Sequence, residues 1–313
     1  MKSQIKSLVL ACLTSLFLIV ASDAQTLSNT DTEKRTDQDQ STGPTQRGGP
    51  AKASVLIGAE IQNKDLQTIG SVQELAVDLQ AGRIVQVIVA TAGFLAIRER
   101  HVAVPPRHFD YDATSQLLHF DVAMDRLQSA PGFQMSDWAE FYKTNLVQES
   151  CRYYGDEPSF AAPPALNTQP ALAINPNGLG QVEQATKLVG RSVTNLQNED
   201  IGAVVDLIVD LPAGRVVAVI VSSSKFLGIS DALSAIPPAA LRFSATPDQI
   251  QLTSTKETLL NASHFTTKHW PDFGASDYVD HLYRAYRIEP YSAGARTARA
   301  KPQATPKIAA GRD

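Results

Sequence analysis

The chain is 313 residues long, with 43% hydrophobic residues and a formal net charge of −4. That length fits about two domains, each able to bury a modest core of its own. Acids outnumber Lys and Arg by 12 to 8 between Leu56 and Gly155 and by 11 to 8 between Leu188 and Tyr291, so neither half carries the basic footprint of a nucleic-acid-binding domain.

Lys2 and Lys6 precede an apolar run from Leu8 to Val20, and Ser22-Asp23-Ala24 places small residues behind it. This order reads as a secretory signal over residues 1–24, cleaved after Ala24, which puts the mature chain in the periplasm. The run is short for a membrane anchor. Val9-Leu10-Ala11-Cys12 resembles a lipoprotein processing site but comes too early in the run. Cleavage removes Cys12 and leaves Cys151 as the one remaining cysteine. An internal disulfide is then impossible, and a half-buried unreactive thiol on a helix is the expectation, with an interchain bridge as the alternative. Residues 25–53 hold almost no large apolar side chain and read as a disordered linker.

The first folded segment, 54–155, opens in a β pattern. Val72, Glu74, Ala76 and Asp78 alternate with Gln73, Leu75, Val77 and Leu79, which predicts one buried face made of the second set. Gln80-Ala81-Gly82-Arg83 then leads into Ile84–Val89, and the pair reads as a hairpin. Gly82 supplies a positive φ in its turn, Asp78 bonds turn amides, and Arg83 covers apolar surface or pairs with a neighbouring acid. Gly70 follows Ile69 inside a strand pattern, which predicts a bulge or tight bend. Arg98, Glu99, Arg100 and His101 form the one dense charged patch, read as a solvated hairpin tip and as the candidate partner-binding loop. Two short strands follow, over Arg100–Pro106 and Leu117–Val122, with Pro105-Pro106 where the chain leaves the ladder. Met124–Ala130 reads as a helix stopped by Pro131-Gly132. A second helix opens at Ser136 or Asp137, with Trp138, Phe141, Tyr142 and Leu146 on one side.

Residues 156–184 are rich in Pro, Ala and Asn and read as an interdomain linker. From there the chain repeats itself at a constant offset of 132 residues. Leu188-Val189-Gly190 repeats Leu56-Ile57-Gly58, and Val209-Asp210-Leu211-x-Ala213-Gly214-Arg215 repeats Val77-Asp78-Leu79-x-Ala81-Gly82-Arg83. Pro237-Pro238 repeats Pro105-Pro106, and Trp270-x-x-Phe273 repeats Trp138-x-x-Phe141. A unit this long is a duplicated domain, since solenoid repeats run only about 20–50 residues. The second domain spans 185–291. The end, 292–313, is a basic tail that reads as unstructured, with weak contact to an anionic membrane surface as its functional alternative.

The duplicated residues are those of strands, turns and core. The six histidines, His101, His108, His119, His264, His269 and His281, have no histidine counterpart at the repeat offset. His264, His269 and Asp272, with His281 nearby, match no recognised zinc spacing. Nucleophile elbows, zinc-protease helices and phosphate-cradling loops are missing from the sequence. No catalytic, cofactor-binding or metal-binding residue is assigned, and no cofactor is expected.

The run Leu56-Ile57-Gly58, Ile69-Gly70-x-Val72, Leu75-x-Val77-Asp78-Leu79-x-x-Gly82-Arg83, Val87, Gly93-Phe94-Leu95-x-Ile97-x-Glu99-Arg100-x-Val102-Ala103-Val104-Pro105 resembles the PRC-barrel family. That family includes a domain of the photosynthetic reaction centre H subunit and the C-terminal domain of a ribosome maturation factor. The second copy follows the pattern to Phe226-Leu227-Gly228-Ile229 and then departs, with Ser230-Asp231-Ala232-Leu233 in place of Arg98-Glu99-Arg100-His101. The resemblance implies a mainly β fold with accessory α-helices: two tandem small antiparallel PRC-type β-barrels, each followed by a short helical extension. It implies a non-catalytic interaction or assembly module with a protein partner in the cell envelope and no nucleic acid. The barrels are expected either to bind two sites on a partner or to pack on each other as a pseudo-dimer. An RNA-associated factor and a metal-dependent enzyme are the competing readings. The signal sequence and acidic domains weigh against the first, and the histidine spacing against the second.

Overall fold

The duplicated β pattern becomes two copies of one strand order. The structure, a computed structural model, describes residues 48–91, 101–141, 145–157, 179–223, 227–228 and 230–290. The first copy runs β1 (Ala51–Lys52), α1 (Ala53–Leu56), β2 (Glu60–Gln62), β3 (Thr68–Asp78), β4 (Arg83–Thr91), β5 (His101–Val104), β6 (Asp110–Asp112) and β7 (Leu117–His119). Its extension is α2 (Met124–Ser129), β8 (Gly132–Phe133), α3 (Trp138–Phe141) and α4 (Leu146–Tyr153). The second copy runs β9 (Val182–Gln184), α5 (Ala185–Leu188), β10 (Ser192–Thr194), β11 (Asp200–Asp210), β12 (Arg215–Ser222), β13 (Ala232–Ile236), β14 (Leu241–Phe243) and β15 (Gln249–Leu252). Its extension is α6 (Lys256–Asn261), β16 (His264–Thr266) and α7 (Ser276–Ala285). The fold is thus mainly β with a few helices.

The hairpin turns form as their residues dictate. Gly82 and Gly214 have φ of 61° and 62°. The Asp78 carboxylate accepts from Ala81 N at 3.1 Å, and that of Asp210 from Ala213 N at 3.1 Å. Arg83 reaches back to Asp78 at 2.8 Å. A second repeated turn went unread in the sequence. Asn63 Oδ1 accepts from the amides of Asp65 and Gln67, and Asn195 Oδ1 from those of Gln197 and Glu199. These buried asparagines close the turns between β2 and β3 and between β10 and β11, as Asx side chains do by standing in for backbone acceptors.

Gly70 and Gly202 mark close backbone approaches. A Cβ on Gly70 would lie 2.5 Å from the carbonyl oxygen of Ala90. Bulges adjoin these glycines at Ile69 and Ile201, against β2 and β10, and three residues further on, at Gln73 and Val205, β3 and β11 again carry one residue more than β4 and β12. Such an insertion shifts the phase of the alternation. Gln73, expected inside, is exposed, while Val72, Glu74, Ala76 and Asp78 are buried along with Leu75 and Val77. The one-face expectation is corrected: β3 is covered on both sides from Glu74 onward.

One pair in each copy is parallel, β2 with β7 and β10 with β15, against the wholly antiparallel expectation. The Pro105–Phe109 and Pro237–Leu241 segments explain this. Each makes a single 3-10 turn that lifts the chain off the β4–β5 or β12–β13 ladder and delivers it to the far edge. The helical extensions lie along the side of the strands. Ser150 Oγ of α4 donates to Ala103 O at 2.5 Å, and Tyr283 OH of α7 donates to Val217 O at 3.0 Å.

The two copies share one sheet. β4 and β12 meet antiparallel at Arg83 and Arg215. Ile84 N donates to Gly214 O at 2.9 Å, and Val216 N to Gly82 O at 3.0 Å. Each contact is the other displaced by one repeat, the signature of an isologous two-fold interface. Gly82 sits against Pro238, and Gly214 against Pro106, where an added Cβ would come within 3.3 Å of proline carbons. The pseudo-dimer arrangement is therefore the one adopted.

Ordered chain also starts before the boundaries drawn at 54 and 185. Gly48 N donates to Tyr111 O, residues 51–53 are strand and helix, and 182–184 form β9. These short stretches order because they pair with a sheet and bury their few apolar side chains, Ala53 in one and Val182 in the other, against it. The leader 1–24, residues 25–47 of the first linker, 158–178 of the second and the tail 292–313 lie outside the described residues.

Candidate functional site

The segments that lead into each domain make the most developed contact site of the molecule. β1 does not pair within its own copy. It adds to β11, with Ala51 opposite Val209 and Lys52 opposite Ile208. β9 adds to β3, with Glu183 opposite Val77 and Gln184 opposite Ala76. The two registers are identical at the repeat offset. Each strand is followed by one helical turn, α1 or α5, whose Ala53 and Leu56, or Ala185 and Leu188, are buried. The chain then returns to its own domain at Gly58 or Gly190. Each copy thus sends an arm across the other.

A buried carboxylate receives each arm. Asp206, 5% exposed, accepts from Ser54 N at 3.2 Å and Ser54 Oγ at 2.5 Å. Glu74, 2% exposed, accepts from Thr186 N at 3.3 Å and also from Thr186 Oγ1. Each acid additionally takes the amide of the residue that follows it, Leu207 or Leu75, at 2.8 Å. A carboxylate at the start of a helical turn meets otherwise unpaired N–H groups. Hydrogen bonds to a buried charge contribute about 1.5–3 kcal/mol each. Asp78 holds the second arm further upstream, accepting from Gly180 N at 3.0 Å.

The helical extensions cover the arms from outside. Lys52 Nζ lies 3.5 Å from the ring centroid of Trp270, within cation–π range. Leu179 and Val182 of the second arm enter a small core with Phe133 and Val147, against which Trp138 packs. The repeated tryptophans, read from sequence as packing on the barrels, therefore lie where the arms cross. The hydroxyl–carboxylate pairs Ser54–Asp206 and Thr186–Glu74 were missed in the sequence. Their signal was a repeat in chemistry rather than identity, Ser for Thr and Asp for Glu at one offset.

Burial raises the Glu74 carboxyl above its ordinary 4.5, a rise that the Thr186 hydroxyl and the amides around it only partly offset. Below pH about 4.5 the acid is protonated in both folded and unfolded chain and contributes nothing to the pH dependence. As pH rises through the raised folded value, folding must keep a carboxylate out of water, so stability falls. Glu74→Gln cannot ionise, so its stability should gain on the wild type as pH rises above about 4.5. Urea midpoints of both proteins across that range check this; a constant gap would contradict it.

Of the expected contact loop, Arg98, Glu99 and Arg100 lie outside the described residues. His101 does not belong to an exposed tip. It is 5% exposed in β5, opposite Ala90 and Phe133, so it belongs to the strand read from Arg100 onward and not to the charged loop. Cys151 is buried in α4 rather than half-buried. Its Sγ accepts from Gln86 Nε2 at 3.5 Å, and burial pushes the thiol up.

His264 Nδ1 lies 3.0 Å from Ser234 Oγ, which lies 2.7 Å from Ser223 Oγ. Both serines are fully buried, so this chain of polar groups ties β16 to β13 and presents no nucleophile to solvent. Among the described residues no three His, Cys, Asp or Glu side chains converge as metal ligands would. No described helix is long and apolar enough to cross a membrane.

The PRC-barrel domain model matches the chain twice, at residues 51–119 and 180–259. Both matches begin in the arms, so the arm is part of the domain. The chain is a PRC-barrel protein with the domain duplicated in tandem, and domains of this type serve in protein interaction and assembly. No curated protein matches the sequence.

Proposed function

We propose that the protein is exported to the periplasm and acts there, without catalysis, as a rigid assembly piece that binds a protein partner of the cell envelope. The observation that carries this reading is the use made of the residues common to both copies. Asp78, the arm-binding acids and the tryptophans are engaged in holding the two domains to each other. What remains for a partner is the outer surface of a pair at fixed spacing. A rigid pair presents its contacts with less ordering cost than two tethered domains. Lys2, Lys6, the Leu8–Val20 run and Ala24 support export.

The Arg98–Arg100 segment is the proposed contact, since it joins the end of β4 to the start of β5 and carries two arginines that the second copy replaces with Ser230 and Ala232. The basic tail adds weak attraction to anionic membrane surfaces. Crosslinking and pull-down from the native periplasm test the reading, with a triple variant R98A/E99A/R100A alongside. The wild type should recover an envelope protein and the variant should lose it; equal recovery would remove the segment as the contact. N-terminal sequencing should find the mature chain starting at Gln25, and an uncut cytoplasmic chain would refute export. A stoichiometric transition metal in the purified protein, or salt-sensitive RNA retention in filter binding, would each overturn the non-catalytic protein-binding reading.

A further inference from the structure

We propose that the face formed by each long strand and its tryptophan-bearing extension is a receptor for the arm of a second PRC-type domain, and that this recognition, rather than the covalent linker, holds the halves of the chain together. The partner chemistry is specific. The arm supplies three residues of extended backbone to β3, or two to β11, then one helical turn starting Ala-(Ser/Thr), with Leu at its fourth position. The receptor supplies a free strand edge, a buried acid for the hydroxyl and amide, and an aromatic extension as cover. Strand addition provides the backbone bonds, and the acid sets the register, because a one-residue slip would leave Asp206 or Glu74 buried without the Ser54 or Thr186 donors.

Three contacts then join the halves independently of residues 158–178: arm one on the second domain, arm two on the first, and the β4–β12 ladder at Arg83 and Arg215. The first two are equivalent at the repeat offset. This is the geometry of a homodimer whose subunits exchange arms, preserved after fusion into one chain.

The experiment inserts a specific protease site between residues 160 and 175 of the full chain and cuts the purified protein. The halves should stay together on size exclusion at low micromolar concentration. They should unfold in one transition whose midpoint is independent of concentration before cutting and rises with it afterwards, as mass action demands. Asp206→Ala and the milder Ser54→Ala, introduced into the same chain, should weaken association of the cut halves by about 10-fold or more, the scale of one buried charged hydrogen bond. Separation of the halves on cutting, or two independent transitions in the intact protein, would overturn the proposal. So would variants whose cut halves associate as tightly as the wild type. These outcomes do not depend on the envelope partner, so failure here and failure of the proposed function are told apart.

Discussion

Replacing Gly202 by Ala is expected to be the most damaging single substitution of a small residue in this protein. A Cβ there would fall 1.6 Å from the carbonyl oxygen of Ser222 and 2.8 Å from its carbon, both backbone atoms. The φ of 149° adds strain for any L side chain. The strands cannot part to make room, because Ser222 Oγ bonds both the N and the O of Ala203, at 3.1 and 3.2 Å. The expected loss is about 3 kcal/mol or more, a large share of the stability of a typical domain. Gly70→Ala, its counterpart, meets Ala90 O at 2.5 Å without the positive φ, and should cost less. Urea denaturation of the two variants gives the order directly. A Gly202→Ala protein within about 1 kcal/mol of the wild type would show that the close approach relaxes freely.

Asp78→Ala should cost nearly as much for a different reason. Asp78 is 1% exposed and serves three elements at once. It accepts from Ala81 N in its own turn, from the Arg83 guanidinium, whose side chain is only 16% exposed, and from Gly180 N in the arm of the other domain. Removing the carboxylate leaves a largely buried cation without this acid and loosens the second arm, a loss of about 3–5 kcal/mol. Asp78→Asn keeps an acceptor for Ala81 N but turns an amide donor or a neutral oxygen toward Arg83, and should fall between. Hydrogen exchange adds a spatial readout. The amides of Gly180 and Val182 should lose protection in Asp78→Ala while those of the β11–β12 hairpin keep theirs. Equal protection at Gly180 in wild type and variant would break the link between turn and arm.

The carboxylates of Glu74 and Asp78 illustrate how far a sequence can be read. Asp78 stands four residues before Gly82 in a turn pattern, and its local role followed from spacing. Its second role, holding Gly180, did not, because the two residues are 102 apart in sequence. Glu74 sat in the polar half of a period-two alternation and therefore read as solvent-facing. It is buried because an arm from the other copy covers that face. The same distant cover accounts for Ala76 and the buried end of β3, while the bulge at Gln73 shifts the phase of the preceding stretch and accounts for Val72. His101 illustrates the limit of charge runs, since a strand can begin inside one.

By itself, then, the chain determined what is local or periodic. The doubling at 132 residues, the Asp-x-x-x-Gly-Arg turns, the β runs, the short helices after them and the PRC pattern all rest on contacts between residues close in sequence or on direct comparison of the copies. The tertiary structure alone decided which domain each arm covers. A strand of two or three residues has too little pattern to choose a partner, and β3 and β11 offer it nearly the same edge and an equivalent buried acid. The choice falls across the pseudo-two-fold because there each arm finds a strand edge, a carboxylate for its hydroxyl and an aromatic cover together. These are non-local pairings whose free energy no stretch of the sequence carries on its own.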